Sequence, residues 1–89
     1  MAGPDEPARL DLKQVIERFP GKGSLIRRLA LKDNVFRTIC EEYSLARASL
    51  SWFEARPDAS DRPEIADYKT VIAGLEEEIG EILRNARVL

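Results

Sequence analysis

A chain of 89 residues with 44% hydrophobic and 34% charged residues has the composition of one folded, water-exposed domain. At this size roughly 60 to 65% of the unfolded chain's surface can be buried, so it builds one core. The net charge of -2 hides an asymmetry: residues 1 to 32 hold seven Lys/Arg against four Asp/Glu, and residues 33 to 89 hold seven against twelve. That is not the dense basic stripe of a nucleic-acid footprint, and nucleic acid is a disfavoured partner. A single cysteine, Cys40, excludes an internal disulfide and a cysteine-rich zinc site, and favours a reducing cytoplasm. No apolar run reaches the roughly 20 residues of a membrane span, and the start of the chain lacks the basic and apolar regions of an export signal.

Residues 1 to 10, with Gly3, Pro4 and Pro7 and no apolar period, have the composition of a flexible terminus. A first short helix over about residues 11 to 19 is expected from Leu12, Val15, Ile16 and Phe19 at i, i+3, i+4 and i+7. Asp11 caps it and Pro20-Gly21 ends it. A second short helix, about 24 to 32, starts from Ser24 as N-cap and carries Leu25, Ile26 and Leu29 on one face.

The pattern then strengthens. Behind a cap at Asp33 or Asn34, a long helix over about 34 to 55 bears the heptad seam Phe36, Ile39, Tyr43, Ala46, Leu50 and Phe53. Pro57 and Pro63 frame a break. Asp61 with Glu64 offers a capping box for a second long helix over about 62 to 86, whose seam is Ile65, Tyr68, Ile72, Leu75, Ile79, Ile82 and Ala86. Pairing the seams across the break sets Phe53 against Ile65, Leu50 against Tyr68, Ala46 against Ile72, Tyr43 against Leu75, Ile39 against Ile79 and Phe36 against Ile82, all in one register. The same register sets Glu54 near Lys69, Arg47 near Glu76 and Cys40 near Leu83 on one edge, and the like charges Glu42 and Glu78 on the other. Arg27 and Arg28 are the expected cover for those two glutamates. The fold class is therefore all-α: a long antiparallel two-helix hairpin with two short N-terminal helices packed on it.

The run Phe19-Pro20 through Leu25-Ile26-Arg27-Arg28-Leu29, then Phe36-Arg37, Cys40-Glu41-Glu42-Tyr43 and the closing heptads, resembles a family of small uncharacterised bacterial proteins predicted to be helical hairpins. The resemblance spans about residues 11 to 86. It implies a fold and brings no activity, ligand or functional residue with it.

Catalytic and ligand-binding constellations are hard to assemble. With no histidine, the usual general base and the commonest metal ligand are missing, and a Cys40 facing Leu83 reads as a small buried hydrophobe. Gly21-Lys22-Gly23-Ser24 looks like the end of a phosphate-binding loop. However, Gly23 separates the lysine from the serine, Ile16 stands where the first glycine belongs, and the preceding segment is helical. Glu76-Glu77-Glu78 with Glu81 spreads around a helix instead of converging. No catalytic residue, metal site or cofactor is expected, and the chain is read as a non-enzyme that acts by contact.

Two surfaces are candidates for that contact. Leu45 and Trp52 lie seven apart at outward positions, either under the N-terminal helices or, since tryptophan is enriched among interface anchors, against a partner. Ala66, Ala73 and Gly80 form a small-residue column on the last helix, with Gly74 beside it. Two glycines inside a helix each cost about 1 kcal/mol against alanine, so some close approach is expected there. The expected partner is a protein or a second copy of the chain, as a homodimer. The alternative is a nucleic-acid-associated regulator using a basic face of Arg27, Arg28, Lys32 and Arg37.

Overall fold

A computed structural model of the chain describes residues 11 to 86, and the expected flexible terminus at residues 1 to 10 lies outside them. Four α-helices occur in order: α1 Lys13–Arg18, α2 Gly23–Lys32, α3 Asn34–Glu54 and α4 Pro63–Asn85, with a 3-10 turn over Ala59–Asp61 before α4. There is no strand among the described residues. α3 and α4 pair as the antiparallel hairpin, and α1 and α2 both pack against α3.

Local chemistry fixes most of the boundaries. Asp11 Oδ1 accepts the Lys13 N–H at 3.0 Å at the start of α1. The chain then reverses through Phe19-Pro20-Gly21-Lys22, where the Lys22 N–H reaches the Phe19 carbonyl at 3.1 Å. Gly21 sits at φ +88°, which the third residue of a type II turn after proline demands. Asp33 caps α3 with one oxygen that accepts from Val35 N–H at 2.9 Å and Phe36 N–H at 3.2 Å.

Two expected caps are corrected. α2 begins at Gly23, behind Lys22, and Ser24 makes no capping bond. The Asp61/Glu64 capping box does not form either, because the Asp61 N–H is drawn into the 3-10 turn by the Asp58 carbonyl at 2.9 Å. Arg62 takes the N-cap position in the extended conformation that a following proline enforces, and Pro63 opens α4 where its missing N–H costs nothing.

The core gathers at the end of the hairpin away from the turn. Val15, Ile26, Phe36, Cys40, Tyr43 and Ile79 are fully buried, with Ala30, Ile39, Ala46, Ile72, Leu75 and Leu83 around them. Leu50, Phe53, Ile65 and Tyr68 remain half-buried near the turn, where only the two long helices meet. There the Phe53 and Tyr68 rings lie 5.7 Å apart and Trp52 meets Phe53 edge-on at 5.0 Å.

The small-residue column divides. Gly80 is buried, and a Cβ there would stand 3.6 Å from the Phe19 ring, so this glycine receives the end of α1. Ala66 and Ala73 are exposed, and a Cβ at Gly74 would meet nothing within 4 Å. At Gly80 an added methyl group would make only ordinary van der Waals contact with Phe19, and at Gly74 it would meet nothing, so the close approach expected of these glycines requires glycine at neither position. Replacing Gly74 with alanine should stabilise the chain by about 1 kcal/mol, the helix-propensity difference at an open site. A rise in thermal midpoint is the expected result; a fall would mean that Gly74 carries a contact or conformation beyond this fold.

Candidate interaction surfaces

The two edges of the hairpin have different fates. On one, Cys40 and Leu83 are buried as the register requires, and the N-terminal helices close over them. Glu76 is the polar centre of this edge. Its Oε2 accepts the Tyr43 hydroxyl at 2.8 Å and meets Arg18 Nε at 3.2 Å, so one carboxylate joins α1, α3 and α4. Arg47, expected beside Glu76, instead holds its guanidinium 5.9 Å above the Tyr43 ring. The expected Glu54–Lys69 pair is present at 4.0 Å. α1 is further anchored where Ser44 Oγ donates to the Asp11 carbonyl at 3.1 Å.

Burial within this edge shifts two of its titratable groups, Cys40 and Tyr43. Burial pushes the Cys40 thiol up to about 12, with the neighbouring Glu41 charge adding to the effect. Burial also raises the Tyr43 phenol, helped by its hydrogen bond to Glu76 and opposed by Arg47 and Arg18. Both groups favour the folded state only while protonated. That stabilisation is complete below the unfolded thiol's pKa near 9 and is lost as pH rises toward the folded value. Cys40→Ala should therefore flatten the loss of thermal stability between about pH 9 and 12. An unchanged alkaline slope in that variant would show that Cys40 is not buried as described.

The other edge is open. Glu42 and Glu78 border a shallow groove with Asn34, Val35, Thr38 and Ile39. Arg27 and Arg28 do not cover them: among the described residues the ion pairs are Arg18–Glu76, Arg56–Asp58, Arg62–Asp58 and Lys69–Glu54. The reason is geometric, since α1 and α2 occupy the Cys40/Leu83 edge.

Leu45 and Trp52 share that fate. They are 69% and 58% exposed, so the expectation that the N-terminal helices cover them is corrected. Val35 and Val71, 68% and 50% exposed, add to the same uncovered side. Sequence reasoning missed Arg56, whose guanidinium lies 4.7 Å from the centre of the Trp52 ring while its Nε stands 3.5 Å from Asp58. It also missed Arg62, which meets the same Asp58 at 3.2 Å and stands 5.9 Å over Phe53. An aromatic next to a turn arginine was the available signal.

The basic face loses one member. Arg37 is half-buried, and its Nε donates to the Ala30 carbonyl at 3.0 Å, closing the C-terminal end of α2 onto α3. Arg27, Arg28 and Lys32 are exposed on α2. Arg27 borders a groove between α1 and α2 floored by Leu12, Ile16, Ala30 and Leu31 and flanked by Lys13 and Glu17. Ala73 lines a separate groove with Phe19, Gly80 and Arg84.

These features define an all-α helical hairpin with one edge clothed by its own N-terminal helices and the other left bare by the described residues. No described helix is long and apolar enough to cross a membrane. Comparison with family models, curated proteins and solved structures returns no match to this chain.

Proposed function

We propose that the protein is a non-enzymatic interaction module that works by seating the uncovered face of α3 on protein, in a reducing, cytoplasmic setting. The observation that carries this reading is the exposure of Leu45 and Trp52, two large apolar side chains one heptad apart on α3. Three aspects of the surface support it. The face belongs to a 21-residue helix capped at its start by Asp33. Trp52 is held in place by Arg56 above its ring and Phe53 at its edge. Val35 and Val71 extend the apolar surface on the same side. A fixed aromatic anchor surrounded by smaller contacts is the usual layout of an interface centre.

The resemblance to bacterial helical hairpins agrees with this reading in architecture. The lone thiol buried at Cys40 suits a compartment in which disulfides are not needed. In-cell photocross-linking is the test, with a photoreactive residue placed at Ala48 on the α3 face or, as control, at Asp67 on exposed α4. Protein adducts from position 48 and few from position 67 are expected. The absence of adducts from position 48 would overturn the reading.

A further inference from the structure

α3 carries two heptad seams, and among the described residues only one is covered. Thr38, Glu41, Leu45, Ala48, Trp52 and Ala55 also advance in alternating steps of three and four, and all six are exposed. We propose, building on the interaction-module reading above, that this second seam seats the same seam of a second copy of the chain, antiparallel, about a two-fold axis near the middle of α3.

Self-complementarity of size and charge selects both the partner and the register. Centring the axis between Ala46 and Arg47 sets Leu45 against the second copy's Ala48 and Thr38 against its Ala55, a larger residue facing a small one each time. Trp52 then meets the other copy's Glu41, and Arg56, already lying 4.7 Å from the Trp52 ring, faces the other copy's Glu41 and Glu42. The two-fold repeats every contact, so each dimer holds two Arg56-to-glutamate contacts and no like charges face to face.

Sliding one helix by a heptad in either direction spoils this match. One slide sets Leu45 against Glu41, and the other carries Glu41 and Glu42 past Arg56. The glutamates, which have no ion pair among the described residues, and the turn arginine are thus the two halves of one recognition element. Each copy supplies both the carboxylates and the guanidinium, as a two-fold contact needs and a contact with an unrelated partner does not.

The test is sedimentation equilibrium of the full chain over a wide concentration range at low salt. The expected mass rises from 10.1 kDa toward twice that value. Glu42→Arg and Arg56→Glu should each weaken association about tenfold, because each reverses two symmetric contacts, and the double variant should return to within roughly threefold of the parent. Leu45→Glu should abolish association, with thermal melts showing that each variant keeps its hairpin. A chain that stays at the monomer mass at every concentration overturns the proposal, as does a dimer indifferent to Leu45→Glu or a double variant that fails to recover. If the mass stays monomeric while position 48 still cross-links a different protein in cells, the second-copy proposal fails and the interaction-module reading stands. If position 48 yields no adduct, that reading fails as well.

Discussion

Phe36→Ala should unfold much of the protein's stability reserve, lowering it by about 3 to 5 kcal/mol. Phe36 is 0% exposed, sits one turn into α3 directly after its Asp33 cap, and belongs to the cluster in which the N-terminal helices and both long helices meet. A domain of this size commonly holds on the order of 5 to 10 kcal/mol in total, so the variant should melt roughly 15 to 30 °C lower. Leu50→Ala, half-buried near the turn, should cost clearly less, since its surroundings are already partly wet. Equal losses at the two positions, measured by denaturant titration, would mean that the core is not concentrated at the far end of the hairpin.

Glu76→Ala is expected to cost about 2 kcal/mol, a large effect for a charged residue on a helix surface. The Glu76 carboxylate accepts the Tyr43 hydroxyl, and Tyr43 is fully buried; removing the acceptor leaves that hydroxyl without its partner. The Arg18 contact adds little by itself, because the arginine is about half exposed. This division makes a double-mutant cycle informative. Tyr43→Phe removes the stranded hydroxyl, so Glu76→Ala in the Tyr43→Phe background should cost about 1 kcal/mol less than in the parent. Additive losses would show that Tyr43 and Glu76 do not communicate, and that Arg18 or helix packing carries the effect.

Most of the hairpin was legible because its signal is periodic. Phe36, Ile39, Tyr43 and Ala46 on one helix and Ile72, Leu75 and Ile79 on the other are spaced for burial, and all are buried. The Asp33 cap and the Pro20-Gly21 reversal were legible as local chemistry that tertiary structure leaves unchanged. The choice of edge was not legible. Nothing in the spacing of α1 and α2 says whether their apolar stripes go to the Cys40/Leu83 edge or over Leu45 and Trp52. The decision rests on contacts distant in sequence, among them Phe19 on Gly80, Arg18 on Glu76 and Ser44 on the Asp11 carbonyl.

The same limit explains Arg37 and Arg56. By composition Arg37 belonged with the basic front, yet it spends its Nε on the Ala30 carbonyl; Arg56 lies in the turn after α3 and from there reaches the Trp52 ring. An arginine's role depends on the carbonyl, ring or carboxylate that the fold brings within reach, and its letter alone carries none of that. The second seam was legible in principle, since Thr38, Glu41, Leu45, Ala48, Trp52 and Ala55 keep heptad spacing. Only the exposure of all six separates it from a covered stripe.

The bare face of α3 is the centre of this account, and the chain's only tryptophan reports on it. Acrylamide quenching of Trp52, measured at a concentration low enough to keep single chains apart, should be clearly stronger than that of a buried indole, with red-shifted emission, and held below that of a free indole only by Phe53 and Arg56. Shielded, blue-shifted emission from the single chain would contradict the account, because it would mean that the protein's own helices cover the surface described here as open.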